Sequence, residues 1–356
     1  MKYRRLGRTD LKISIISLGG VELGYSCSYQ KVKEIMNHLS LRGINFVDVS
    51  EVYGDAEKKL GQAFSENNKK IHIFSKTTKT SEKEVNFSIK QSLKKLKLDC
   101  IDIYGIHGVN NEDDLRFRLN QGCLKALKKA KNDGLIRFIG ITGHHIPTLM
   151  KAIKSNDFDV VMVHYNIGNT LAEPLIEMAY ELDVGSLAMK PLGGATFIDP
   201  KFCGENPHGI VKKLTAKNAL TFILSNKKLS SAVVGMRDIW QIDENSKIID
   251  SFKPLPINKR KILRNNVRKL LGDQFCRRCR YCEPCAKNGQ NLEIAEILRL
   301  LIFYKKFGYK KNAREIYSRL RLKANVCKGC GECEKKCPFN LPIIKLLKEA
   351  HATLNQ

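Results

Sequence analysis

The sequence predicts an α/β protein, a (β/α)8 TIM barrel followed by a small α-helical domain, and three observations carry that expectation. First, from residue 13 to about residue 250 short β-rich apolar runs alternate with amphipathic stretches, and eight such runs occur. Strict alternation of strand and helix implies a parallel sheet, and eight repeats are what a closed barrel needs. Second, no GxGxxG follows the first run, which removes the main sign of an open doubly wound sheet. Third, the alternation stops at residues 253–274, where prolines and a basic run lead into clustered cysteines.

In order, the strand candidates are ISIISLG (13–19), INFVDVS (44–50), IHIFSK (71–76), CIDIYGIH (100–107), IRFIGIT (136–142), DVVMVHY (159–165), VGSLAMK (184–190) and SAVVGM (231–236). Between them lie helix-like segments. In SEKEVNFSIKQSLKKLKL, Val85, Ile89, Leu93 and Leu96 recur at three or four residues, and Ser81 with Glu84 supplies a capping box. The expected division is a barrel over residues 1–255 and a helical, ferredoxin-like domain over 256–356. Within the latter, NLEIAEILRLLIFYKKFGYKKNAREIYSRLRL reads as two helices split near Gly308.

At 356 residues the chain can bury two cores. It has no run approaching eighteen uninterrupted apolar residues, and its start lacks a long apolar stretch ending in a cleavage site, so a soluble, cytoplasmic protein is expected. Of twelve cysteines eight sit in two tight clusters, a distribution that points to metal rather than to disulfides. The isolated Cys27, Cys100, Cys123 and Cys203 read as small buried hydrophobes. The net charge of +26 is uneven: residues 251–356 hold 25 Lys+Arg against 8 Asp+Glu, or +17, which leaves +9 for the rest. Such a surface could attract an acidic protein, nucleic acid or an anionic membrane, or simply be solvated and offset the charge of thiolate-bound clusters. The interleaved aromatics of a strand-binding face are missing, which weighs against nucleic acid.

In a (β/α)8 enzyme the reacting groups sit at the C-terminal ends of the strands. Asp48 ends the second strand and Tyr53 follows in its loop, Lys76 ends the third, and His107 ends the fourth. An ammonium beside a tyrosine favours the phenolate and is expected to lower the tyrosine pKa, so that Tyr53 can protonate a carbonyl oxygen as hydride arrives. Asp48 would hold Lys76 charged and in place, and His107 would orient the carbonyl or share the proton relay. His144, His145 and His164 lie at the same mouth and are expected to line the pocket.

The segment GINFVDVSEVYGDAEKKLGQAF resembles the aldo-keto reductase signature, and FSKT with IDIYGIHGV is similar to the family's lysine and histidine segments. The resemblance covers residues 1 to about 250 and implies a barrel that uses NADP(H) or NAD(H), with Asp48, Tyr53, Lys76 and His107 as catalytic tetrad. It further implies that VVGMRDIWQIDEN holds the adenosine end of the cofactor, with Gly235, Met236 and Arg237 at phosphate and Gln241, Glu244 and Asn245 around adenine. An arginine there suits the extra phosphate of NADP. Two stretches depart from the family. Where many members have Ser-Asn after strand five this chain has Thr142, Gly143, His144 and His145, and where they have glutamine on strand six it has Met162, followed by His164, Tyr165 and Asn166. Thr142, Asn166 and Lys190 are the residues left to meet cofactor or substrate.

The first cysteine cluster, CRRCRYCEPC, is Cys276, Cys279, Cys282 and Cys285; the second, CKGCGECEKKCP, is Cys327, Cys330, Cys333 and Cys337, with the C-x2-C-x2-C-x3-C-P spacing of bacterial ferredoxins. In two-cluster ferredoxins the fourth ligand comes from the other motif, so Cys276, Cys279, Cys282 and Cys337 are expected at one 4Fe-4S cluster and Cys327, Cys330, Cys333 and Cys285 at the other. Zinc is the competing metal, although triple C-x2-C runs leave awkward leftovers for its paired ligands. The whole chain is similar to the iron-sulfur branch of the aldo-keto reductases, a barrel with a dicluster ferredoxin tail. That resemblance implies an oxidoreductase joining hydride transfer on a carbonyl or alcohol to electron transfer, with an acidic carrier such as ferredoxin or flavodoxin as partner. Two alternatives stay open: cluster-driven one-electron chemistry on a carbonyl without nicotinamide, and a basic nucleic-acid- or protein-binding protein with structural clusters. No flavin motif is evident. Substrate choice is assigned to the loops and to residues 195–209, which carry no recognisable chemistry.

Overall fold

The computed structural model describes residues 1–64, 71–194, 215–283, 285 and 292–356. Cys203 and the 195–209 segment lie outside them. The chain divides into two compact units: Met1–Asn166 with Thr170–Pro191 and Leu220–Pro254, and Ile167–Asn169 with Leu192–Ala219 and Leu255–Gln356.

The first unit is a (β/α)8 barrel. A short antiparallel hairpin, β1 (Tyr3–Arg5) and β2 (Lys12–Ser14), precedes eight parallel strands: β3 (Ile16–Gly19), β4 (Phe46–Asp48), β5 (His72–Thr77), β6 (Ile101–Val109), β7 (Ile136–Gly143), β8 (Val160–His164), β9 (Gly185–Met189) and β10 (Ser231–Gly235). They pair in sequence order and β10 closes on β3. All eight expected runs become barrel strands, but the first is divided: Lys12–Ser14 belongs to the hairpin, and only Ile16–Gly19 enters the barrel.

The hairpin plugs the barrel. Leu6, Leu11 and Ile13 join Phe46, Phe74, Ile103, Val160, Met162 and Leu187 in one buried cluster. Each such side chain, fully buried, contributes about 1.5–3 kcal/mol. The approach is close: Gly7 adopts φ +50, and a Cβ there would lie 2.2 Å from the Gly185 nitrogen. Arg4 binds the carbonyls of Leu224, Asn226 and Leu229, tying the hairpin to the loop before β10.

Helix placement follows local chemistry. The helix Glu82–Leu96 begins with the expected capping box, Ser81 and Glu84, and buries Val85, Ile89, Leu93 and Leu96. It ends at Lys97 in the left-handed region, with Lys94 and Lys95 in its last turn, where cations complement the helix dipole.

The second unit is helical. Its main elements are Ile257–Leu271, Ile294–Ile302, Lys310–Arg319 and Ile343–Leu354. Ile294–Ile302 is buried along its whole length and runs into a wide turn, Phe303–Phe307, that Gly308 ends at φ +82. The expected split near Gly308 is therefore a left-handed glycine stop, the position where a Cβ is costly. Among the described residues no helix is long and apolar enough to cross a membrane.

Candidate active site

Lys76 lies on β5, one residue before its end, and is 1 % exposed. A lysine is seldom this deeply buried unless paired. Its Nζ contacts Asp48 Oδ1 at 2.8 Å, donates to the Val49 carbonyl at 2.7 Å and reaches the Tyr53 hydroxyl at 3.5 Å. It also sits 4.7 Å above the Tyr53 ring. His107, from β6, brings Nε2 within 3.5 Å of the same hydroxyl. Lys76 and His107 thus converge on the Tyr53 hydroxyl, with Asp48 behind Lys76.

Residues that the sequence reading did not single out hold this arrangement. Ser50 Oγ donates to the Lys76 carbonyl at 3.0 Å and lies 2.8 Å from His107 Nδ1. With its proton engaged, Ser50 accepts from Nδ1–H, which assigns the unprotonated lone pair to Nε2, facing Tyr53. Gly24 is the second such residue: a Cβ there would lie 1.7 Å from the Tyr53 carbonyl oxygen, so the backbone of the Tyr53 loop rests directly on it. The serine follows a strand-end aspartate as Asp-Val-Ser, which is the signal that could have flagged it. Gly24 had none, because the contact is between segments distant in sequence.

The electrostatics correct one expectation. Burial raises the Tyr53 pKa, and the attraction of Lys76 only partly opposes it. Tyr53 is a protonated phenol, an acid ready to donate, not a phenolate. Lys76 is raised above the ordinary lysine value because Asp48 and Tyr53 outweigh its burial. Burial pushes the Asp48 carboxyl up while Lys76 pulls it down, and the 2.8 Å contact makes the two an ion pair. His107 falls well below the ordinary histidine value through burial, then Lys76 and Arg118, so it is neutral.

The three further histidines separate. His144 and His164 meet edge to face, ring centroids 5.5 Å apart, and burial drives His144 far down, helped by Lys190, His164 and His107. His145 instead opens the helix Ile146–Lys154, with Nδ1 2.8 Å from Thr148 Oγ1. It therefore does not join the other two, because that helix start takes its ring. Thr142 Oγ1 accepts from the Gly108 amide at 2.9 Å, and the Asn166 side-chain amide contacts His164 Nε2 at 2.8 Å and donates to the Lys190 carbonyl at 3.0 Å. Lys190 itself has φ +54, an uncommon backbone for lysine. Met162 is a core residue.

At the proposed nucleotide segment, Gly235 ends β10 with open space where a Cβ would stand, and Arg237 is half exposed just before the helix Ile239–Asp250. An exposed cation at a helix N-terminus fits phosphate. Asn245 is buried with Oδ1 lacking a partner among the described residues, and Glu244 is exposed. Met236 is fully buried, so only its backbone could meet a ligand. Gln241 is already engaged: its Oε1 accepts from the Asp238 amide at 3.2 Å, as part of a capping box, and from the Arg237 amide at 2.8 Å.

The sequence model of the Aldo/keto reductase family matches residues 15–264. The chain belongs to the aldo/keto reductase family. It is an oxidoreductase by that membership. It is 27% identical over 296 residues to L-galactose dehydrogenase of Arabidopsis thaliana, covering 73% of this chain and 91% of that one. It is 25% identical over 284 residues to an uncharacterized oxidoreductase of Bacillus subtilis, covering 69% and 90%. Among solved structures, the holo form of an aldo-keto reductase from Bacillus halodurans is similar in fold, with TM-score 0.64, 23% identity, 75% of this chain covered and 96% of that one. The family match ends at residue 264, before the first clustered cysteine.

Beyond that end the second unit has two hollows. Cys276, Cys279, Cys282 and Cys337 line one, together with Arg277, Arg280, Leu298, Phe339, Leu341 and Ile343. Cys282, Cys285, Cys327, Cys330 and Cys333 line the other, with Lys328, Glu332 and Lys336 on its rim. The fold thus carries Cys337 to the first motif and Cys285 to the second. Among the described residues no three His, Cys, Asp or Glu side chains are arranged to hold a single metal ion. Thiols spread around a hollow suit a body with several metal atoms, each taking one thiolate, better than one tetrahedral zinc. Burial pushes the Cys276 thiol up to about 12 and Cys333 to about 11, so a thiolate in either place calls for a cationic partner.

Proposed function

We propose that the barrel transfers hydride between NADPH or NADH and a small carbonyl or alcohol substrate, and that the tail connects this chemistry to one-electron transfer through two 4Fe-4S clusters. A bound nicotinamide supplies or takes the hydride at carbon, and bound clusters supply or take single electrons. The carrying observation is the buried Lys76, which holds Asp48 and reaches the protonated Tyr53 hydroxyl that His107 also approaches. In the reductive direction Tyr53 donates its proton to the substrate oxygen, and Lys76 stabilises the phenolate left behind. His107 offers a lone pair at Nε2 to orient that proton. In oxidation the same proton returns to Tyr53.

Gly235 and Arg237 would meet the cofactor phosphates, and the half-exposed guanidinium supports NADP. Cys276, Cys279, Cys282 and Cys337 would hold one cluster and Cys285, Cys327, Cys330 and Cys333 the other; Cys337 in the first hollow and Cys285 in the second support that division, while Cys282 lines both. The excess of +17 on residues 251–356 supports an acidic one-electron carrier as partner, in the cytoplasm.

A second reading has its own observation. Thr142 and Asn166, in the two stretches that depart from the family, are engaged within the chain. On that reading the barrel reduces a carbonyl by single electrons without nicotinamide. Anaerobic titration with NADPH and NADH separates the two. The hydride reading expects saturable binding and carbonyl turnover with nucleotide as sole reductant. A chain that binds neither nucleotide yet turns over with a reduced one-electron carrier would replace it by the second.

A further inference from the structure

We propose that Arg277 makes the two hollows unequal electron acceptors, so that a single electron shared between bound clusters resides in the hollow of Cys276, Cys279, Cys282 and Cys337. The inference rests on the iron-sulfur reading above and concerns a residue that no motif assigns.

The Arg277 guanidinium lies over two phenyl rings, its central carbon 4.5 Å from the Phe275 centroid and 4.6 Å from that of Phe339. Nη1 donates to the Phe275 carbonyl at 3.4 Å, and Nε is buried with no hydrogen-bond partner among the described residues. Arg277 and Phe339 both line the first hollow, as do Leu298, Leu341 and Ile343. A guanidinium does not lose its proton in a protein, so this is a permanent cation in an apolar wall. A planar cation over aromatic rings is held in place by cation–π contact, and the carboxylate whose charge reaches it, Asp273, makes no ion pair with it among the described residues.

The second hollow has cations of another kind. Lys328 and Lys336 are exposed, and Glu332 shares the rim and pairs with Lys335 at 2.8 Å. Water and salt screen such charges, whereas a partly buried one acts almost undiminished. Each reduction adds one electron to iron, with no bond made or broken, and leaves the cluster one charge more negative. Burial alone would make the first hollow the poorer acceptor, because it withholds water from that added charge. The cation of Arg277 reverses the order, since cluster potential follows net charge, hydrogen bonds to sulfur and exposure.

The test is an anaerobic redox titration of the full iron-loaded chain, followed by electron paramagnetic resonance, with dithionite as one-electron donor. The wild-type chain should show two one-electron waves. Arg277→Gln should move one wave by at least tenfold in its equilibrium toward harder reduction, which is 59 mV for one electron, and leave the other in place. Arg277→Lys should retain most of the wild-type position, and Lys328→Gln should move neither wave by more than a fraction of that. Should Arg277→Gln not load iron, the wild type still decides: one electron per chain should produce one paramagnetic species, and two equally populated species overturn the proposal. Unmoved waves in Arg277→Gln, equal movement of both, or Arg277→Lys behaving as Arg277→Gln also overturn it, with the clusters intact. A wild-type chain without iron and sulfide overturns the underlying cluster reading instead, and this inference with it.

Discussion

In the barrel, four reactive side chains come from three strand ends and a loop, and each has a protein partner in place: Asp48 with Lys76, Lys76 with Val49 and Tyr53, His107 with Ser50. In the tail, eight cysteines come in two short runs and line two hollows, where backbone amides reach some of the sulfurs, as the Arg278 amide reaches Cys276 Sγ at 3.4 Å. The proton-handling part of the barrel site is held by protein contacts, so it depends on geometry set across the fold. On the proposed reading the tail sites are ligand sets, and their chemistry depends on what fills them. Changes in the barrel should therefore alter turnover and leave iron content untouched, and the converse should hold for the cysteines.

The largest expected effect is on turnover. Tyr53→Phe should lower kcat by about 10²- to 10⁴-fold, the range for removing a positioned proton donor, with iron content unchanged. Steady-state carbonyl reduction beside an iron assay measures both, and loss of iron in this variant would break the separation. Lys76→Met should be similarly inactive and also cost about 3–5 kcal/mol of stability, because it strands the Asp48 carboxylate. Adding Asp48→Asn should restore much of the stability and none of the activity, as denaturant unfolding and turnover of the double variant would show.

The fold was readable because parallel strands buried on both faces leave apolar runs, and eight of them stand out between amphipathic helices. The β1–β2 hairpin was not, because Ile13 and Ser14 run without a break into Ile16–Gly19 and the pleat alone gives no sign that the chain changes sheet. Strand-end logic found Asp48, Tyr53, Lys76 and His107. It gave the Tyr53 pKa the wrong direction because charge can be counted in a sequence and desolvation cannot. His145 looked like a partner of His144 by adjacency, yet the start of a helix turns it to Thr148. Arg277 is one basic residue among 25 in the tail by sequence, and only the fold brings it over the rings of Phe275 and Phe339.

Two smaller effects sharpen the barrel side. Gly24→Ala should shift the Tyr53 loop and lower kcat by about 10²-fold, the scale of a 1 Å misplacement, and cost about 1–3 kcal/mol of stability because the clash is with backbone. An unaltered kcat would show that the loop yields freely. The pH effect is the most modest. Burial holds His107 and His144 below their unfolded pKa of about 6.5, so the unfolded chain binds more protons in that window. Barrel stability should thus be full above about pH 6.5 and fall as pH drops toward the folded values, by about 1.4 kcal/mol per unit of depression per histidine. His144→Gln should flatten that acid limb in denaturant titrations at stepped pH, and an unchanged limb would remove His144 from the account.

The central claim is that one chain joins a barrel handling electron pairs to a tail handling single electrons, and metal analysis of anaerobically purified protein tests it most directly. The account predicts about eight irons and about eight acid-labile sulfides per chain, with a paramagnetic signal on reduction. Zinc bound at the cysteines without sulfide would contradict it and leave the barrel an oxidoreductase with a structural metal tail.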